Sequence, residues 1–195
     1  MRKKRKLVYG VGVNDADYVV QPKINGVVVW CPYYSTWKQM LMRTYCEFYR
    51  AERPTYQDVT VCEEWLSFTT FREWMEGEDW EGNELDKDII VSGNREYRAD
   101  RCLFVSRAVN GLLNNHANAR GAYPCGVTEE YGGGKYRARI KMYSKEKYLG
   151  YFDTVNEASQ AYKTAKKAHI ETIAATQTDA RIRDGLLRHA ELLAA

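Results

Sequence analysis

At 195 residues, with 45% hydrophobic and 28% charged residues, the chain has the balance of a globular protein of one or two domains, which excludes a low-complexity or disordered polypeptide. No apolar run reaches the length of a membrane span, so no membrane partner is expected. A formal charge of +3 is too small to define a nucleic-acid binder by itself, so the location of the charge matters more than its sum.

The chain opens on the basic run Met1-Arg2-Lys3-Lys4-Arg5-Lys6, which reads either as an arm reaching for phosphates or as a solvated charge run. No apolar stretch with a small-residue cleavage site follows it, so a signal peptide is not expected. Cys31, Cys46, Cys62, Cys102 and Cys125 are odd in number and never form a C-x-x-C pair. That spacing predicts free, buried thiols in a reducing cytoplasm rather than disulfides or a zinc site.

Val27-Val28-Val29-Trp30 follows an Asn25-Gly26 turn and reads as a strand. A helix is predicted over 34–49, capped at Ser35 or Thr36, with Trp37, Leu41, Tyr45 and Phe48 on one face. A second is predicted over 63–76, with Trp65, Phe68, Phe71 or Arg72, and Met75 as its stripe. Such aromatic stripes predict core rather than a ligand site. An acidic turn-rich stretch leads to a predicted strand over 85–91, a polar loop over 92–101, a strand over 102–105 and a helix over 107–116. Asn114 to Gly121 is polar and small, as a linker would be.

Beyond Gly126 the pattern predicts three short strands, at 127–128, 136–142 and 147–152, separated by Gly132-Gly133-Gly134 and by Ser144-Lys145-Glu146. Thr154 and Glu157 have capping-box spacing ahead of a helix to about Ala174, and a last helix is predicted over 179–194. Period-two alternation in Tyr136-Arg137-Ala138-Arg139-Ile140-Lys141 puts Arg137, Arg139 and Lys141 on one face and Tyr136, Ala138 and Ile140 on the other. The apolar face can pack on a helix carrying Ala158, Ala161, Tyr162 and Ala165, leaving a cationic row on a rigid sheet. Residues 126–173 hold nine Lys or Arg against six Asp or Glu, so the rest of the chain is neutral in sum. A cationic row attracts phosphates, and arginine forks can read guanine edges in the major groove. Solvation of an exposed antiparallel face is the alternative.

The run Lys135-Tyr136-Arg137-Ala138-Arg139-Ile140, then Leu149-Gly150-Tyr151-Phe152-Asp153-Thr154, then Glu157-Ala158 and Ala161-Tyr162 resembles the plant ethylene-response-factor (Apetala-type) domain. The resemblance implies a three-stranded sheet packed on one helix, with strands that enter the major groove of double-stranded DNA. It implies that Arg137, Arg139, Lys141 and Tyr148 face DNA, with Tyr136 as a further contact, and that Leu149, Phe152, Ala158 and Tyr162 are scaffold. The plant pattern has more arginine near its first strand.

The strand–loop–strand–helix order from 85 to 116 resembles the ββα-metal unit of HNH nucleases. So does the cadence of Asp86-Lys87-Asp88-Ile89, Gly93-Asn94, Arg101-Cys102-Leu103-Phe104-Val105 and Asn110. The whole layout is similar to phage-encoded homing endonucleases, which would place the protein in the host cytoplasm. Two positions depart from that pattern: Asp88 stands where the catalytic histidine would sit, and Cys102 where a structural asparagine is usual. His116, His169 and His189 all lie outside the strand pair.

The expected architecture is therefore α+β, with an HNH-like body over 1–115, an Apetala-type module over 122–175 and a C-terminal helix over 176–195. The leading expectation is a DNA-binding protein with a degenerate nuclease centre, because the general base is missing. In the enzyme alternative, Asp86, Asp88, Asn94 and Asp100 hold Mg²⁺, and Lys87 or metal-bound water acts as base. In a third reading the basic sheet meets a host protein.

Overall fold

The computed structural model describes residues 6–113, 122–130 and 133–193. The basic arm up to Arg5, the linker from Asn114 to Gly121 with His116, and Gly132 lie outside the described residues. Contacts divide the chain into two compact units, Met1–Ser106 and Arg107–Ala195. Secondary structure is mixed, with several small sheets and no single large one, an α+β arrangement. Among the described residues no helix is long and apolar enough to cross a membrane.

The first unit begins with a hairpin of β1 (Lys23–Ile24) and β2 (Val27–Val28). Asn25 and Gly26 both have positive φ, 50° and 83°, the geometry that matches the twist of a tight hairpin. Helix α1 (Pro32–Tyr45) starts with proline in its first turn and stops at Cys46, whose extended backbone separates it from α2 (Glu47–Glu52). The single helix expected over 34–49 is thus two. Tyr34, Trp37, Met40, Leu41 and Thr44 face inward, whereas Phe48, beyond the break, leaves the stripe and is exposed.

The second expected helix is also divided. A 3-10 turn covers Glu63–Leu66, and α3 (Phe68–Glu76) starts afresh at Ser67. Ser67 Oγ accepts the Thr70 N–H at 3.2 Å. Asp15 reinforces that end by accepting from Ser67 Oγ (2.6 Å) and from the Thr69 N–H (2.9 Å). Trp37, Trp65, Phe68, Phe71 and Met75 are buried together, and Trp37 Nε1 donates to the Trp65 carbonyl at 2.7 Å. Full burial of each such side chain contributes on the order of 1.5–3 kcal/mol. The unit also holds a short parallel pair, β3 (Thr60–Val61) with β5 (Glu96–Tyr97). An antiparallel pair joins β4 (Glu84–Asp86) and β6 (Leu103–Val105).

The second unit opens with α4 (Arg107–Leu113). Its main body is the antiparallel sheet β7 (Val127–Glu129), β8 (Tyr136–Met142) and β9 (Lys145–Phe152) in the order β7-β8-β9. Helix α5 (Val155–Ala174) packs across all three strands. Thr154 Oγ1 accepts the Glu157 N–H at 3.2 Å, and the Glu157 carboxylate accepts the Thr154 N–H at 3.1 Å, closing the predicted capping box. Val127, Ala138 and Ala158 form the centre of this small core. The two alanines let helix and sheet approach closely. Gly126, at φ +76°, passes so near α5 that a Cβ there would lie 2.1 Å from Tyr162 Cδ2. Helix α6 (Ala180–Leu192) is capped by Asp179 and packs on α5.

Candidate nucleic-acid interface

Pairing register builds one face of the sheet from three strands. Arg137 stands opposite Thr128 on β7 and Tyr151 on β9, Arg139 opposite Tyr148, and Lys141 opposite Glu146. The other face carries Ala138 and Ile140, both buried. Arg137, Arg139, Lys141 and Tyr148 are therefore brought together on the side away from α5.

Tyr151 joins them because β9 does not alternate throughout. Ala138 pairs with Gly150, but Arg139 pairs with Tyr148, so Leu149 is an extra residue in a bulge. Strict alternation would put Tyr148 and Tyr151 on opposite faces. The bulge returns both to the outer face, where their rings lie 5.4 Å apart at 64° and are 54% and 52% exposed. A glycine inside a strand, Gly150 between Leu149 and Tyr151, was the available sign of a bulge.

The charges on this face differ in their engagement. Arg139 is tied to Glu146 at 3.1 Å, with both side chains exposed. Arg137 and Lys141 have no salt bridge among the described residues. Arg137 Nε and Thr128 Oγ1, cross-strand neighbours, are both enclosed without a hydrogen-bond partner among the described residues. Such unmet polar groups are uncommon in folded proteins. Desolvation, with Tyr151 adding to it, holds the Tyr148 phenol above its ordinary pKa against the opposing charge of Arg137. Tyr148 is thus a neutral hydrogen-bond donor at pH 7.

Tyr136 is a correction to the expected DNA-facing set. It pairs with Glu129 and Phe152 on the helix side, packs against the small core and meets Tyr123 edge-on at 5.5 Å. The same alternation that points Arg137 outward points Tyr136 inward. Leu149, Phe152 and Ala158 occupy the scaffold positions expected of them.

The residues considered for metal or catalysis are arranged differently. Strand β4 ends at Asp86, not at 91, because Asp86 Oδ1 accepts the backbone N–H groups of Asp88 and Ile89, each at 2.8 Å, and bends the chain. Asp86 and Asp88 consequently do not alternate on a common strand face. Burial raises the Asp86 pKa more than the two backbone bonds lower it, with the Asp88 charge adding to the rise. Lys87, only 8% exposed, donates to both oxygens of Asp88 (2.9 and 2.7 Å) and to the Asn94 carbonyl (2.9 Å). Asn94, also buried, donates to the carbonyls of Lys87 (2.9 Å) and Glu96 (2.6 Å) and accepts the Glu96 N–H at 3.2 Å. Asp100 pairs with Arg98. Each side chain of the proposed Mg²⁺ set is engaged with the loop's own backbone or cations. Among the described residues, no three His, Cys, Asp or Glu side chains are grouped to hold a metal ion.

All five cysteines are free thiols, but only Cys102 is buried and the other four are half-buried. Burial pushes the Cys102 thiol up to about 12, so it is an inert, protonated core group. His169 is buried on α5, and His189 lies in the last turn of α6.

No protein-family model, no curated protein and no solved structure matches the chain.

Proposed function

We propose that the protein binds double-stranded DNA through the outer face of β7–β9. The observation that carries this reading is the convergence of Arg137, Arg139, Lys141, Tyr148 and Tyr151 on one exposed sheet face, two of the cations having no carboxylate partner among the described residues. A rigid strand pair fits the major groove, guanidinium forks supply phosphate and base-edge donors, and aromatic rings supply apolar contact. The resemblance to the Apetala-type domain points to the same face. Here it carries one adjustment: Tyr151 replaces Tyr136 among the contacts.

For the first unit we propose a scaffold role descended from an HNH-like centre, with no cleavage. Support comes from the hydrogen bonds that tie Asp86, Lys87, Asp88 and Asn94 into their own loop, and from the aspartate at position 88, which leaves no histidine base. The test is binding of the full chain to a labelled random-sequence duplex across a salt series, with and without Mg²⁺. Salt-sensitive retention of intact DNA is expected. Mg²⁺-dependent fragments abolished by Asp88→Ala would replace the scaffold role with a nuclease. Failure to bind at low salt would remove the DNA reading and favour an acidic host protein as partner.

A further inference from the structure

A cavity of about 540 Å³ lies in the second unit, walled by α4, the β8–β9 turn and the second half of α5. That volume suits a nucleotide-sized ligand or a phosphate with its attached sugar. Its lining is cationic. Lys166 and His169 come from α5 and Arg107 from α4; Arg139 and Lys141 border it from β8, whose register turns their side chains to the opposite sheet face, and the carboxylate of Glu146 is paired with Arg139. Among the described residues, Arg107 and Lys166 have no carboxylate partner. His169 is 8% exposed and meets the Tyr143 ring edge-on at 4.9 Å, but its imidazole has no hydrogen-bond partner among the described residues.

Cations gathered around a partly desolvated hollow repel one another and lose hydration, a cost that a bound anion relieves. The lowered pKa values of Lys166 and His169 fit this picture. Burial is the larger cause for both, the Cys125 thiol opposes it at Lys166, and the Lys166 charge adds to it at His169. Donors arriving from two separate helices suit a tetrahedral group with several acceptor oxygens better than a flat carboxylate.

We propose that this cavity is a phosphate-binding site, gripped by Lys166, His169 and Arg107. Two sources share that chemistry: a free phosphate or nucleotide, and a backbone phosphodiester of DNA. The site does not depend on the sheet face reading DNA, because a free phosphate needs no duplex.

The test uses the full chain and two probes. In the first arm, pyrophosphate is titrated calorimetrically at low salt into the wild type, Lys166→Met, His169→Asn and Arg107→Ala. Saturable binding, weakened about tenfold or more in Lys166→Met, assigns the site to a free phosphate. In the second arm, duplex affinity is measured across a salt series. A salt slope reduced by about one in Lys166→Met assigns the site to a backbone phosphate. Thermal melts identify which variants fold, and the exposed position of Arg107 keeps that variant informative if the α5 substitutions unfold the unit. Folded variants with wild-type behaviour in both arms would overturn the proposal. Pyrophosphate binding without any DNA binding would leave this site standing and remove the DNA reading.

Discussion

Two polar regions of this molecule are rich in the same side chains and use them in opposite directions. In the loop from Asp86 to Glu96, carboxylate, ammonium and amide groups turn onto backbone atoms and each other, and Lys87 and Asn94 are buried. On the β7–β9 sheet, cations and tyrosines point outward, and among the described residues of its outer face only Arg139 is held by a neighbouring acid. A cluster of Asp, Lys and Asn in sequence is thus compatible with metal chemistry or with loop scaffolding. Hydrogen-bond satisfaction separates the two, since a side chain bonded to local backbone must break those bonds before it can bind anything else.

The comparison can be broken most severely by removing the sheet itself. Gly126→Ala places a Cβ 2.5 Å from the Arg139 carbonyl oxygen at a positive φ, and should cost more than about 3 kcal/mol in the second unit. All tryptophans lie between Trp30 and Trp80, so their fluorescence reports the first unit. The expected outcome is loss of DNA binding with the tryptophan-detected transition unchanged.

Asn94→Ala tests the other region. It leaves the Lys87 and Glu96 carbonyls without their buried donor and should lower the tryptophan-detected stability by about 2–3 kcal/mol while leaving DNA affinity intact. A loss of DNA affinity in a folded variant would make the loop part of the interface. Arg137→Ala and Arg139→Ala should each weaken DNA binding by ~1–3 kcal/mol with little change in melting temperature. Wild-type affinity in both would take the sheet face out of the interface.

A finer distinction comes from pH. The raised pKa of Asp86 means that the native state holds this proton more tightly than the unfolded chain. The stability it contributes is fully present below the ordinary carboxylate value of about 4 and is lost as pH rises through the raised value. Asn at this position keeps an acceptor for the Asp88 and Ile89 N–H groups without the buried charge. Asp86→Asn should therefore melt at or above the wild-type temperature at pH 7, with the difference fading towards pH 4. A clear loss at pH 7 would show that the loop needs the carboxylate. The smallest expected effect is at Glu146→Gln, which releases Arg139 from an exposed ion pair and removes a negative charge beside the proposed DNA face. Duplex affinity should rise about two- to fivefold, read by titration at low salt, and the gain should shrink as salt screens the face. Unchanged affinity at low salt would mean that Arg139 makes no phosphate contact.

Much of the second unit was legible because its signals are local. The capping box at Thr154 and Glu157 and the alternation of Arg137, Ala138 and Arg139 each depend on residues a few positions apart, whereas the turn expected at Ser144-Lys145-Glu146 is shorter, at Tyr143-Ser144, with Lys145 and Glu146 already paired in β9. The first unit was less legible where a single residue interrupts a continuous pattern. Cys46 and Ser67 each divide a predicted helix, and the parallel pairing of β3 with β5 joins segments too short to show periodicity. Tyr136 belongs with the core side by the very alternation that placed the arginines, so the residue pattern was a better guide to it than the resemblance.

By itself the sequence determined which segments are strands and helices in the C-terminal half, and which face of β8 is cationic, because side-chain direction along one strand follows from backbone period alone. Only tertiary structure decided what depends on pairing between segments. The bulge at Leu149 brings Tyr151 beside Tyr148, the loop closes Asp86, Lys87, Asp88 and Asn94 on themselves, and Lys166 and His169 come to share a cavity with Arg107. Register, loop closure and helix packing are set by contacts between residues distant in the chain, and no local period encodes them.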